Sequence, residues 1–233
     1  MSTGPDAGAP GPGPAGGNDK DVVVPDPPVV AARVFGAALP TAERYVARLA
    51  GDGVVRGLIG PREVPRLWER HVLNSAALAE AVPAGARVVD VGSGAGLPGI
   101  PLGLARPDLT LTLVEPMARR VEFLEQTVAA LEAPWRVVRG RAEERSVVRT
   151  VGPVDVVTAR AVAPLPRLVS WCRGLLRPGA QLIALVGERA DAEVPSLLGE
   201  LEAAGMRDVH TRAVGGDLGS AATTVVVMTR GTR

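Results

Sequence analysis

Residues Asp90–Gly99 read DVGSGAGLPG, four glycines in ten positions directly after the apolar run Val88-Val89. The spacing Gly94-x-Gly96-x-x-Gly99 is that of a strand turning tightly into a helix with its backbone laid against a nucleotide. A turn that needs glycine only for its backbone angles looks the same, so the flanking residues decide. Asp90 stands two residues before Gly92, giving acid-x-Gly-x-Gly-x-Gly. The next strand-like run, LTLTLVE, ends on Glu115, at the separation expected of a carboxylate that accepts from ribose hydroxyls.

Working outward from that loop, the chain after Gly85 alternates β-rich runs with amphipathic stretches. Strands are expected near 87–91, 109–114, 135–139, 154–159 and 181–186, and helices near 99–105, 117–132, 165–176 and 190–204. This alternation predicts an α/β fold with a doubly wound, mostly parallel sheet. The ending differs: MRDVHTRAV and ATTVVVMTR are separated only by the glycine-rich link GGDLGS, which predicts an antiparallel pair at the sheet edge. Upstream, apolar residues from Val30 to Ala50 recur at three and four, and Glu63 to Val82 forms a second helical stretch. Residues 1–28 are rich in Gly, Pro and Ala and are expected to be a disordered tail. The expected organisation is therefore a tail over 1–28, an N-terminal helical segment over 29–84 and the main domain over 85–233.

At 233 residues and 46% hydrophobic content the chain suits one large domain with a full core. A net charge of +1 does not call for nucleic acid globally, so such a partner would need a local basic surface. The single cysteine, Cys172, excludes an internal disulfide and any multi-cysteine zinc site. With no stretch long enough to span a membrane and no secretory pattern at the N-terminus, the expectation is a cytoplasmic protein, monomeric, without metal.

A nicotinamide enzyme would set its glycines on a diphosphate at the helix N-terminus. S-adenosylmethionine instead presents sulfonium, ammonium and carboxylate ends to close backbone, and Asp90 suits the ammonium, directly or through water. The sole tyrosine, Tyr45, and the sole lysine, Lys20 in the tail, do not supply a reductase's Tyr/Lys pair. An NAD(P)-dependent reductase is thus the remote alternative, and S-adenosylmethionine the expected cofactor.

The blocks WERHVLNS, DVGSGAGLPGIPL, RGRAEE, TARAVAPL and LVSWC follow one another in the order of the RsmG (GidB) family, which the chain resembles from about Arg33 onward. The resemblance implies a seven-stranded, Rossmann-like sheet of the class I methyltransferase type and a bacterial enzyme that methylates N7 of one guanine in 16S rRNA of the small ribosomal subunit. It also implies cofactor contacts at Gly92 and Leu97 in the loop, at Ala142 and Glu143, and at Arg160, beside Asp90, Gly94, Gly96 and Glu115. RNA contact is expected from Arg119, Arg120, Arg139, Arg141 and His71, with Asn74 in the same block as His71. The arginines equally suit an ordinary solvated surface, and His71 a structural histidine. Where the family is expected to carry a lysine, LIALVGER has Val186, so a cationic contact is missing or displaced to Arg189. Loss of catalysis with retained cofactor binding, or a different acceptor, are the alternatives this leaves.

Guanine N7 carries a free in-plane lone pair, so no proton must leave before it attacks and no catalytic base is expected. TARAVAPL agrees by omission: it holds neither an Asn/Asp-Pro-Pro-aromatic cluster nor a Pro-Cys nucleophile. Cys172 reads as core. Aromatic residues make up 3% of the chain, too few for a broad base-stacking platform.

Overall fold

The computed structural model describes residues 24–160, 162–186 and 190–232. The expected tail lies mostly outside these residues, as does Arg189. The last of the tail, 24–28, is held: Trp68 Nε1 donates to the Pro25 carbonyl at 2.9 Å.

Seven strands form one sheet: β1 Arg87–Val91, β2 Thr110–Glu115, β3 Arg136–Arg139, β4 Val154–Arg160, β5 Leu176–Leu185, β6 Met206–Val214 and β7 Thr223–Arg230. Their order is β3-β2-β1-β4-β5-β7-β6, parallel except for β7, which runs antiparallel to both of its neighbours. β1 is buried at every position but its first, because helices cover both of its faces. The final strand pair is antiparallel as expected, with β7 slotted between β5 and the edge strand β6.

The crossovers are helices: α4 Gly99–Ala105, α5 Ala118–Ala130, α6 Arg145–Val151, α7 Leu165–Cys172 and α8 Ala190–Ala203. One core, built on Ile100, Leu113 and Phe123, also takes in the N-terminal helices. The other, built on Val157, Leu168, Cys172 and Leu182, lies across the sheet under α6 to α8. α6 was not expected from the sequence, because its Val- and Thr-rich turn, RSVVRTV, reads as readily as a strand end.

The N-terminal segment differs most from a pair of regular helices. The first stretch divides into α1 Val29–Phe35 and α2 Leu39–Arg48 at a tight turn over Gly36–Ala38, with Pro40 in the first turn of α2. The second runs through a 3-10 turn at Pro61–Arg66, a π turn at Leu67–Leu73, the single turn α3 at Asn74–Ala76 and another 3-10 turn at Ala77–Glu80. Pro61 opens the first of these turns, and Pro65 inside it withholds an N–H that a regular helix would use.

Candidate active site

In an open α/β sheet, ligands gather beyond the strand carboxyl ends where the strand order reverses. Here that point lies between β1 and β4, with β2 flanking β1 and β5 flanking β4. Two cavities open there, one on each side.

The smaller, about 310 Å³, is lined by the ends of β1, β2 and β4, the turn after β3, and α7. Gly92 lines it with φ +70°, and a Cβ there would come within 2.9 Å of Val162 Cγ1, so this backbone can approach a ligand only as glycine. Gly99 serves packing: a Cβ would stand 2.6 Å from Leu113 Cδ2 and 2.9 Å from Asp90 Oδ2, holding α4 against the sheet. Gly94 and Gly96 also have positive φ, and the Gly96 and Leu97 N–H groups close the turn on the Ser93 carbonyl.

The expected cofactor residues divide into two groups. Gly92, Glu115, Ala142, Glu143 and Arg160 line the small cavity. Gly94, Gly96 and Leu97 build the loop after β1 and Asp90 lies in β1 itself; none of the four lines the cavity. Asp90 is wholly buried beneath that loop: Oδ2 accepts the Gly99 N–H at 3.2 Å, and Oδ1 accepts from Thr158, its register partner on β4, at 3.1 Å. Through these two bonds Asp90 ties β1 to α4 and β4. Its burial pushes the carboxyl up to about 6.

Glu115 reaches the same loop from β2, accepting the Gly94 N–H at 3.0 Å on Oε2 and the Met117 N–H at 3.0 Å on Oε1. Each carboxylate oxygen keeps a second lone pair for a hydroxyl in the cavity. Arg120 lines the same cavity, 3.8 Å from Glu115. Arg141 lines the mouth and is exposed, as are Arg119 and Arg139; among the described residues none of these three forms an ion pair.

The larger cavity, about 1110 Å³, lies beyond the ends of β4, β5 and β7 and is walled by α7 and α8. Arg160 and Val162 line both cavities and form the partition between them. Val186 lines the larger one without charge, and Arg70, Asn74, Thr223 and Thr224 supply polar wall. His71 lines neither; it stands behind Arg160.

Several contributors were not singled out in the sequence. Trp171 on α7 lines the small cavity within the block LVSWC. Tyr45 of α2 is fully buried and donates to the Ala95 carbonyl at 2.9 Å, bracing the glycine loop from the N-terminal segment. Its burial raises the phenol well above its usual range, so it remains a donor. In the sequence it stands out only as the sole tyrosine, one turn from Ala42 and Leu49.

The family model "GidB: rRNA small subunit methyltransferase G" matches residues 38–219. The chain belongs to this family. A ribosomal RNA small subunit methyltransferase G of Mycobacterium sp. (strain KMS) is 54% identical over 206 residues, covering 88% of this chain and 92% of the relative. One from Thermobifida fusca (strain YX) is 52% identical over 204 residues, 87% and 85% of the two chains. Among solved structures, an O-methyltransferase family protein from Burkholderia thailandensis matches with TM-score 0.53 at 15% identity, over 87% of this chain and 68% of that one. A methyltransferase from Pyrococcus furiosus gives 0.52 at 12%, over 66% and 80%. These likenesses show the fold, a class I methyltransferase sheet. The chain is a methyltransferase of the G family, with its glycine loop, Glu115 and Arg160 inside the matched span. Among the described residues no cluster of His, Cys, Asp and Glu is grouped to hold a metal, and no helix is long and apolar enough to cross a membrane.

Proposed function

We propose that this enzyme transfers a methyl group from S-adenosylmethionine to N7 of a guanine in 16S rRNA of the small ribosomal subunit. Family membership supports the RNA substrate, and the observation that carries the reaction is the pair of cavities sharing the partition Arg160–Val162. The small cavity suits the cofactor: glycine backbone at Gly92 that a Cβ would obstruct, a buried carboxylate at Glu115 with lone pairs to spare for ribose, and Ala142–Glu143 at the rim. S-adenosylmethionine, when bound, supplies an activated methyl on a sulfonium. The larger cavity has room for an extruded base.

What the chain contributes is position. Arg160 and Val162 keep the two ligands in adjoining compartments, and alignment across that partition lowers the barrier by proximity. Among the described residues the titratable side chains along the larger cavity are Arg70, Arg160 and Glu193, and none of these is a histidine, cysteine or lysine suited to removing a proton near neutral pH. That agrees with an acceptor whose lone pair is already free. Small subunits from cells lacking the enzyme, incubated with labelled S-adenosylmethionine, should gain one methyl on a guanine. Substituting 7-deazaguanine at the mapped position should abolish transfer while RNA binding persists. Undiminished methylation of the deaza substrate overturns N7 as the acceptor.

A further inference from the structure

Arg160, on the partition between the cavities, is held entirely by the N-terminal segment. Nη1 donates to Ser75 Oγ at 3.3 Å, and Nη2 donates to the Arg70 carbonyl at 2.9 Å and stands 3.3 Å from His71 Nδ1. A guanidinium has donors only, so Nδ1 must be the accepting nitrogen. The proton of neutral His71 is therefore on Nε2, which lies 3.0 Å from Glu63 Oε2, an acceptor only. Glu63, His71 and Arg160 thus form a chain in which every donor meets an acceptor in one tautomer.

We propose that Glu63 and His71 are positioning residues that fix Arg160 at the partition, and that protonation of His71 releases it and slows methyl transfer. The inference rests on the methyl-transfer reading above. An imidazolium would point Nδ1–H at a guanidinium N–H, setting donor against donor and charge against charge. Glu63 faces His71 from the preceding turn, with Arg66 3.4 Å and Arg70 3.7 Å from its carboxylate; Arg160 faces it from β4, and Tyr45 of α2 lies within the field of Arg160. Asp217, in the 216–221 turn that packs on the same stretch, is engaged by Arg33 at 2.7 Å. Burial first and the charge of Arg160 second hold His71 below its ordinary range, against the raising pull of Glu63, so the accepting form prevails at neutral pH.

The substitutions follow from the geometry. Asparagine places an amide oxygen where Nδ1 stands and does not titrate, so His71→Asn keeps the acceptor for Arg160, whereas His71→Leu removes it. With full-length enzyme and unmethylated small subunits, kcat of the natural protein should fall about tenfold per pH unit once His71 is protonated. His71→Asn should retain kcat within about threefold and lose that acid limb, while His71→Leu should lose at least about tenfold at every pH with affinity for S-adenosylmethionine unchanged. Natural kcat in His71→Leu, or an equal loss in a folded His71→Asn, overturns the proposal. Nitrogen NMR of the imidazole tests the same chain without any turnover. It should show Nε2–H with bare Nδ1, and Arg160→Met should raise the pH at which His71 titrates. Nδ1–H in the natural protein, or titration unmoved by Arg160→Met, also overturns it. Absence of transfer by the natural enzyme with the imidazole result intact would instead fault the methyl-transfer reading.

Discussion

Asp90 and Glu115 end adjacent strands under one loop and have different tasks, decided by what surrounds them. Glu115 lines the small cavity and accepts from the Gly94 and Met117 N–H groups, whereas Asp90 does not line it and accepts from Gly99 and Thr158. Burial pushes the Asp90 carboxyl up to about 6 from an ordinary 3.8, with Thr158 and Gly99 restraining the rise. A carboxyl raised by folding favours the native state while protonated, so its contribution is complete below about pH 4 and lost as the pH climbs through about 6. The non-titrating Asp90→Asn isolates this from other groups. Subtracting its unfolding free energy from that of the natural protein should give a difference that falls by up to about 3 kcal/mol between pH 4 and 7. Denaturant unfolding across that range checks it, and a difference independent of pH would show that the carboxyl is not shifted. The sequence could place Asp90 beside the glycines but not tell which way it faces. Its orientation follows from the β1–β4 register that puts Thr158 beside it, and register is a long-range property. Glu115 was easier to place, because it ends β2 beside the turning point, where it lines the small cavity.

At the scale of elements, what regular periodicity encodes was readable, and what prolines and tertiary contacts impose was not. Strands β1 to β4, β6 and β7 and helices α4, α5 and α8 lie within a few residues of where their apolar patterns placed them, whereas β5 begins at Leu176, where the expected helix 165–176 was still running. The stretch 61–80 instead runs through irregular turns, the first with Pro65 inside it, and these turns place Glu63 and His71 beside Arg160. The N-terminal segment is therefore part of the site, and α2 shows how. Tyr45 spans from α2 to the Ala95 carbonyl in a buried contact that no local pattern announces. Tyr45→Phe keeps the ring and strands that carbonyl, which should cost about 1–3 kcal/mol of stability. Because Ala95 belongs to the loop over the cofactor cavity, affinity for S-adenosylmethionine should drop as well, by up to about tenfold. Unfolding measurements and calorimetry on the same variant test the two effects. Lost stability with unchanged affinity would show that Tyr45 braces the core and not the loop.

Over the whole molecule, the turning point of the sheet divides the ligand face in two. Exposed arginines that form no ion pair among the described residues, Arg119, Arg139 and Arg141, crowd the β2–β3 side, and the larger cavity lies beyond β4, β5 and β7. An RNA that places a base in the larger cavity and its phosphates on those arginines must pass over the mouth of the small cavity between them. The near-neutral total charge concealed this arrangement, since local sign and not the sum attracts phosphate. Arg177, near the start of β5 at the opposite end of the sheet, is paired with Asp155 at 2.6 Å and serves as a control. Replacing Arg119 and Arg139 together by glutamine should weaken RNA binding and lower the salt slope by about 1.5, two phosphate contacts at roughly 0.7–0.9 each. Affinity for S-adenosylmethionine should stay within about twofold, because neither side chain lines the small cavity. Arg177→Gln should change neither quantity. Binding isotherms at several salt concentrations measure the slope directly. An unchanged slope in the double variant would move the RNA path off the β2–β3 side, leaving Arg70 beside the larger cavity as the next cation to replace.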